Sequence, residues 1–307
     1  MGKKEEKREK IRFKGERTKS TLIIASSLIV YLLTLHFNFR IGYTLITALI
    51  CAMGTYELIH VVGGKSKALI AAACGVSVLY TFSVGYHVAV PHFGVVVCFW
   101  ALLLLCMAVV LNQSIKYIDA VMALFGSVGL TYALSCAVRL NDLPYLRDRF
   151  THLEGLYLFW LAFGCAWLTD VFAFLVGRKI GKHKMAPHIS PKKSWEGAVF
   201  GTLITAALNV AILFVYSLIA TKAMGYDYFL MRSGIKYLYI VPVSALLSVV
   251  GMFGDLSASV LKRNVGVKDF SNILPGHGGI IDRFDSCTFV LPTLYGLVVL
   301  FADRLAF

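Results

Sequence analysis

Between Ser259 and Asp285 the chain gathers Lys262, Arg263, Lys268, Asp269, His277, Asp282, Arg283 and Asp285, with Gly276, Gly278 and Gly279 around the histidine. Charges this dense are costly beside a bilayer, where each needs a partner or water, so the segment is a candidate for chemistry. Asp255 precedes it, Asp282 lies 27 positions after Asp255, and Asp285 stands three further on. A spacing of three puts Asp282 and Asp285 on one helix face. Carboxylates that converge repel unless a divalent metal neutralises them. Mg²⁺ binds one or two carboxylates together with substrate phosphates, which suits a nucleotide site. Lys262, Arg263, Lys268 and Arg283 then supply cations for phosphate charge in a transition state. The plain alternative is salt bridging, for example Asp282 with Lys262. The glycines beside His277 allow close backbone approach to a ligand, and a base role and a phosphate hydrogen bond are equally open.

A second polar stretch begins at Asp170, eight residues before Arg178. At ~1.5 Å per residue this acid sits about 12 Å inside the membrane boundary. Such a position points to a metal or polar-substrate contact, or to a structural partner for a neighbouring basic residue. Downstream come Arg178, Lys182, His183 and Lys184, then the run Ser190-Pro191-Lys192-Lys193-Ser194-Trp195-Glu196-Gly197. Glycines and cations of this kind can converge on a polyanion. They also fit a loop whose only task is to stay cytoplasmic. There is no GxxxxGK[ST] match, so this is not a P-loop.

The elements that position these residues follow from composition. Hydrophobic residues make up 58% of 307 positions and charged ones 15%. That excludes an ordinary soluble domain and predicts an all-α, polytopic integral membrane protein. Nine apolar runs approach the ~20 residues a spanning helix needs: about 21–37, 41–62, 68–84, 90–111, 120–137, 155–177, 197–220, 237–256 and 286–302. They are continuous rather than alternating, which argues against a β-barrel. The first and third are the shortest.

Residues 1–19 hold nine Lys/Arg against four Glu, which predicts a cytoplasmic N-terminus and places both polar stretches inside. The first run has no small-residue cleavage site and is expected to be retained. The expected organisation is a basic segment, 1–19, and one membrane domain, 20–307, with a five-helix part (20–138) and a catalytic part (155–307). The linker from Arg139 to Glu154 is expected to be a solvated outside loop. The net charge of +13 is accounted for by positive-inside loops, so nucleic acid is not an expected partner. The seven cysteines lie in or at the ends of apolar runs, without metal-ligand spacing, and are expected to be core residues. No internal repeat favours a transporter.

The pattern Ser259, Lys262-Arg263, Lys268-Asp269, Ser271, Leu274-Pro275, His277-Gly278-Gly279, Asp282-Arg283 and Asp285 resembles the signature of phosphatidate cytidylyltransferases (CDP-diacylglycerol synthases). The stretch from Gly177 to Gly197 is similar to that family as well, so the resemblance runs from about residue 160 to the end. Ser194 stands where the family usually has Thr; Val171 and Phe174 stand where it often has hydroxyl residues. The resemblance implies transfer of a cytidylyl group from CTP to phosphatidate, releasing pyrophosphate. It implies Asp255 and Asp282 at a metal centre of Mg²⁺ with a companion cation such as K⁺, Asp170 nearby, and Lys262, Arg263 and His277 in catalysis. Substrate contacts are implied for Arg178, Lys182, Lys184, Ser190, Lys192, Lys193, Ser194, Glu196, Lys268, Asp269, Arg283 and Asp285. A homodimer in a bacterial plasma membrane, its site facing the cytoplasm, completes the expectation; a long soluble N-terminal extension, absent here, would point elsewhere. The alternatives are a CTP-dependent polyprenol-type kinase and, with less support, a membrane transporter.

Overall fold

The computed structural model describes residues 18, 21–22, 25–87, 93–111, 114–146, 150–224 and 235–301. All of the basic N-terminal segment except Thr18 lies outside the described residues. The architecture is helical: α1 (Ala25–His36), α2 (Arg40–Val61), α3 (Lys67–Gly85), α4 (Phe93–Val110), α5 (Tyr117–Asn141), α6 (Leu143–Leu146), α7 (His152–Ile180), α8 (Trp195–Met224), α9 (Ile235–Asn264), α10 (Ile281–Phe284) and α11 (Cys287–Phe301). Lipid offers the backbone no hydrogen-bond partner, so apolar segments satisfy their own N–H and C=O groups within a helix. Among the described residues seven helices, α2–α5 and α7–α9, are long and apolar enough to cross a membrane, while α1 and α11 are shorter apolar helices. The chain is thus a multi-pass membrane protein. The third apolar run, short in sequence, is a full 19-residue helix once Ser66 caps it.

The described residues contain one small sheet. Strands β1 (Lys184–Ala186) and β2 (Ser190–Ser194) pair antiparallel, with Lys184 opposite Ser194. This hairpin occupies the cationic loop between α7 and α8.

The chain forms two compact units: residues 1–131 with 265–283, and residues 132–264 with 284–307. The glycine–histidine segment therefore packs within the first unit. There, Ile59 of α2, Leu69 and Ala73 of α3, Leu104 of α4, and Ala120 and Ala123 of α5 share a buried core. Polar side chains lock these helices pairwise: Thr55 with Ser77 at 2.8 Å, and Trp100 Nε1 donating to Ser127 Oγ at 2.9 Å.

In the second unit, α7 and α8 pack through small residues. A Cβ on Gly201 would lie 2.8 Å from the Ala173 nitrogen, and one on Gly197 would strike the Ala173 carbonyl. Backbones this close are how membrane helices gain dispersion contacts without a hydrophobic drive. Polar side chains join these helices to each other and to α9: Thr169 Oγ1 donates to Ser248 Oγ at 2.8 Å and lies 3.2 Å from Thr205 Oγ1, and Asn209 Nδ2 donates to Ser244 Oγ at 3.2 Å.

The linker expected to be solvated is packed instead. Helix α5 runs on to Asn141, and Leu140, Asn141, Asp142, Leu143, Phe150 and Glu154 are buried. Two devices hold it. The Arg139 guanidinium lies 5.7 Å from the ring centroids of both Tyr132 and Tyr295. Thr151 and Glu154 form a reciprocal capping box at the start of α7, with Thr151 N donating to Glu154 Oε2 at 2.7 Å. Residues 147–149 lie outside the described residues.

Gly201→Ala should destabilise the second unit by about 1–3 kcal/mol, because backbone rather than a flexible side chain meets the new methyl. Gly75→Ala, which meets nothing within 4 Å, is the control. Thermal unfolding in detergent should show a lower melting temperature for the first only.

Candidate active site

Helix α9 continues to Asn264, beyond the point where hydropathy alone ends it. Asp255, Ser259 and Lys262 thus recur at helical spacing on one face of its last turns. Lys262 and Arg263 complement the negative end of its dipole. Ser259 Oγ donates to Asp255 Oδ1 at 3.4 Å, and Lys193 Nζ of β2 meets Asp255 Oδ2 at 2.5 Å. Lys262 is buried despite its charge.

Two further acids of the second unit join this group. Ser286 is the joint: its Oγ donates to Asp170 Oδ2 at 2.8 Å and its backbone N–H to Asp285 Oδ1 at 2.8 Å. Gly254 permits the approach of α9 to this turn, since a Cβ there would lie 2.6 Å from the Asp285 carbonyl. Burial pushes the Asp285 carboxyl up to about 7, and the negative charges of Asp255 and Asp170 add to it, against the backbone N–H of Ser286 and the cation of Lys262. Asp170, Asp255 and Asp285 therefore form one electrostatically linked set, with Lys193 and Lys262 as its cations.

The hairpin stands over its own anchors. Glu196, on the first turn of α8, accepts the His183 backbone N–H at 3.1 Å and faces His183 Nδ1 at 2.6 Å. Ser194 Oγ accepts the Gly197 N–H at 3.2 Å, capping α8. A side chain on Gly177 or Gly181 would strike that Ser194 hydroxyl, so both glycines are required by close packing. Ser194, Glu196 and Lys193 are thus engaged inside the second unit. Ser190 is half-buried, while Arg178, Lys182, Lys184 and Lys192 project from the same structure and are exposed. Arg263 Nε reaches the Ile189 carbonyl of the hairpin turn at 3.5 Å.

In the first unit the segment Phe270–Arg283 is folded around two acids. Asp282 Oδ2 accepts the N–H groups of Gly279 at 2.8 Å and Phe270 at 2.9 Å. Inside that ring, Leu274 N donates to the Gly278 carbonyl at 3.0 Å and His277 N to Leu274 at 2.8 Å. Arg283 Nε donates to the His277 carbonyl at 3.0 Å, and Thr21 Oγ1 lies 3.4 Å from His277 Nε2. Gly276 and Gly278 take φ of +74° and +79°, which glycine adopts without strain. Lys268 and Asp269 are exposed at the start of this segment.

The second acid is one that motif spacing does not reveal. Glu57 of α2, fully buried, accepts Ser271 Oγ at 2.6 Å and the Ile280 N–H at 2.8 Å on Oε1, and the Ile281 N–H at 2.9 Å on Oε2. The signal for it is its isolation: it is the one acid in the apolar run 41–62.

A model described as the cytidylyltransferase family matches residues 16–301. The chain is 41% identical over 153 residues to a phosphatidate cytidylyltransferase of Bacillus subtilis (strain 168), an alignment of 49% of this chain and 51% of that protein. It is 40% identical over 149 residues to the Staphylococcus haemolyticus (strain JCSC1435) protein of that name, covering 48% and 52%. It is 42% identical over 149 residues to that of Staphylococcus aureus (strain COL), again covering 48% and 52%. The chain spans about half the length of the curated relatives it matches.

The anchoring of the hairpin is directly testable. Glu196→Ala removes the acceptor for both His183 nitrogens and should speed trypsin cleavage among Lys182, Lys184 and Lys192 several-fold, while sites outside the hairpin keep their rates. Peptide mapping by mass spectrometry of a timed digest reads this out.

Proposed function

The chain belongs to the cytidylyltransferase family, and on that footing we propose that it transfers the cytidylyl group of CTP to phosphatidate, giving CDP-diacylglycerol and pyrophosphate. The observation that carries this is the acid–lysine set of the second unit, Asp170, Asp255 and Asp285 with Lys193 on Asp255 at 2.5 Å, beside a hairpin of exposed cations. Transfer between two phosphates needs positioning and neutralisation of charge more than proton chemistry. A phosphate monoester is already nucleophilic at neutral pH, so its oxygen attacks the α-phosphorus without a strong base. One P–O bond forms as the bond to pyrophosphate breaks.

The chain's own residues divide this work. We assign Lys192 and Arg263, with Arg178, Lys182 and Lys184, to the polyphosphate as it arrives from water. Lys193 and Lys262 hold the buried acids in place and bring positive charge to the reacting phosphates. Ser190, Ser194 and Glu196 keep the hairpin in shape. In the glycine–histidine loop, Asp282 organises the backbone, Lys268, Asp269 and Arg283 flank it, and His277 takes the role of a phosphate hydrogen-bond donor.

The donor chemistry suits Mg²⁺: three carboxylates, two of them holding serine hydroxyls, and neither Cys nor His in the set. Among the described residues no three acids or imidazoles already close on one point, so phosphate oxygens of the substrate would complete the shell. Asp255 with one of its neighbours Asp170 and Asp285 would hold the ion, which when bound would supply charge neutralisation at the transferring cytidylyl phosphate. We place K⁺ beside it as a companion cation. The same reading sets the polar ends of α7, α8 and α9 at the cytoplasmic face of a bacterial plasma membrane, where CTP meets a lipid already in the bilayer. It takes the working protein as a homodimer.

With radiolabelled CTP, phosphatidate, Mg²⁺ and K⁺, label should enter a lipid and pyrophosphate should appear; chelation by EDTA should stop it. Release of CDP with a lipid monophosphate would instead assign a kinase. Asp255→Asn should lower kcat by at least about 100-fold, since it removes charge at the reacting centre. Lys192→Ala should act on the KM for CTP, and an unchanged KM would remove that lysine from the site.

A further inference from the structure

We infer that Glu57, in the second apolar helix and remote in sequence from every motif residue, is a positioning residue for the His277 loop. This rests on the cytidylyltransferase reading for its catalytic consequence, though not for its structural one. Three donors from the loop converge on one carboxylate: Ser271 Oγ and Ile280 N on Oε1, and Ile281 N on Oε2, at 2.6, 2.8 and 2.9 Å. Ser271 and Ile280 bracket the tip that carries Pro275, Gly276 and His277. Glu57 therefore ties the two ends of that tip to one rigid helix. Asp282 closes the same loop from within the segment itself, through Phe270 and Gly279. Glu57 fixes it to α2.

The loop sequence is fitted to this carboxylate. A Cβ on Gly279 would lie 2.6 Å from Glu57 Oε1 and 2.7 Å from Oε2. The backbone of Gly279 is not in the left-handed region, so the carboxylate and not φ requires glycine there. A buried carboxylate in an apolar helix is also an expensive feature to keep for packing alone, when an apolar residue would fill the space. What it supplies is a set of acceptors for amides that a loop at a membrane face leaves unpaired.

The test uses the full chain in detergent, with three readouts on monodisperse protein. First, hydrogen exchange over residues 271–281 should accelerate at least 10-fold in Glu57→Gln, where an amide N–H₂ would face one of the three donors, while the 93–110 peptides keep their rates. Second, kcat per folded molecule should fall about 100-fold in Glu57→Ala, the scale on which small misplacements act, and less in Glu57→Gln. Third, Gly279→Ala should cost a similar factor in the parent chain but less than threefold when added to Glu57→Ala, because the methyl's obstacle is then gone. Exchange unchanged at 271–281, kcat of Glu57→Ala within threefold of the parent, or a full additive loss in the double variant would each overturn the assignment. A parent chain that makes no CDP-lipid would remove the proposed reaction, and the exchange measurement would still decide whether Glu57 holds the loop.

Discussion

A carboxylate withdrawn from water at the edge of a membrane must be surrounded by donors or cations, and the polar architecture of this chain is organised by that requirement. Glu57 draws two backbone amides and a hydroxyl to itself. Asp282 draws two more amides. Asp170 and Asp285 share Ser286, and Asp255 holds Lys193. In each case the acid decides where a loop must lie. Glycines then appear where the backbone has to come close, as at Gly254 against the Asp285 carbonyl and Gly279 against Glu57.

Helix packing obeys a complementary rule. Lipid is as apolar as leucine, so burial of apolar surface does little to bring helices together. The second unit relies on close backbone approach at Ala173, Gly197 and Gly201 and on a ladder of hydroxyls and an amide through Thr169, Thr205, Ser248, Asn209 and Ser244. The outward residues can remain apolar and exposed: Phe99, Val109 and Val110 of α4 are each about three-quarters exposed, as a lipid-facing helix requires.

The helices and the family were legible in sequence because both signals are local. An apolar run in lipid has no alternative to a helix, and the glycine–histidine signature is contiguous. What escaped is non-local or exceeds a hydropathy cut. The reach of α9 to Asn264 follows from Ser257, Ser259 and the terminal cations, which hydropathy counts against a helix. The polar linker at 139–154 looks solvated by composition, yet the Arg139 guanidinium lies over two tyrosine rings and Glu154 is tied into a cap. The spacing at 190–196 marks a cationic run, but it does not reveal that Ser194 and Glu196 also anchor the hairpin, Ser194 by capping α8 and Glu196 by accepting the His183 N–H. Glu57 has no motif at all; only its partners, 214 to 224 positions away, give it meaning.

The π-helical turn Gly164–Leu168 within α7 has a geometric consequence for Asp170. An α-helix turns about 100° per residue, so one residue accommodated in a wider turn rotates everything beyond it by roughly that angle. The two halves of α7 are therefore phased independently. The leading half can keep Leu156, Phe159 and Phe163 inward, while the trailing half sets Thr169 toward Ser248 and Asp170 toward Ser286. A continuous α-helix would have to choose between seating its aromatics and aiming its acid. The wide turn acts as a rotary joint that lets one rod satisfy both.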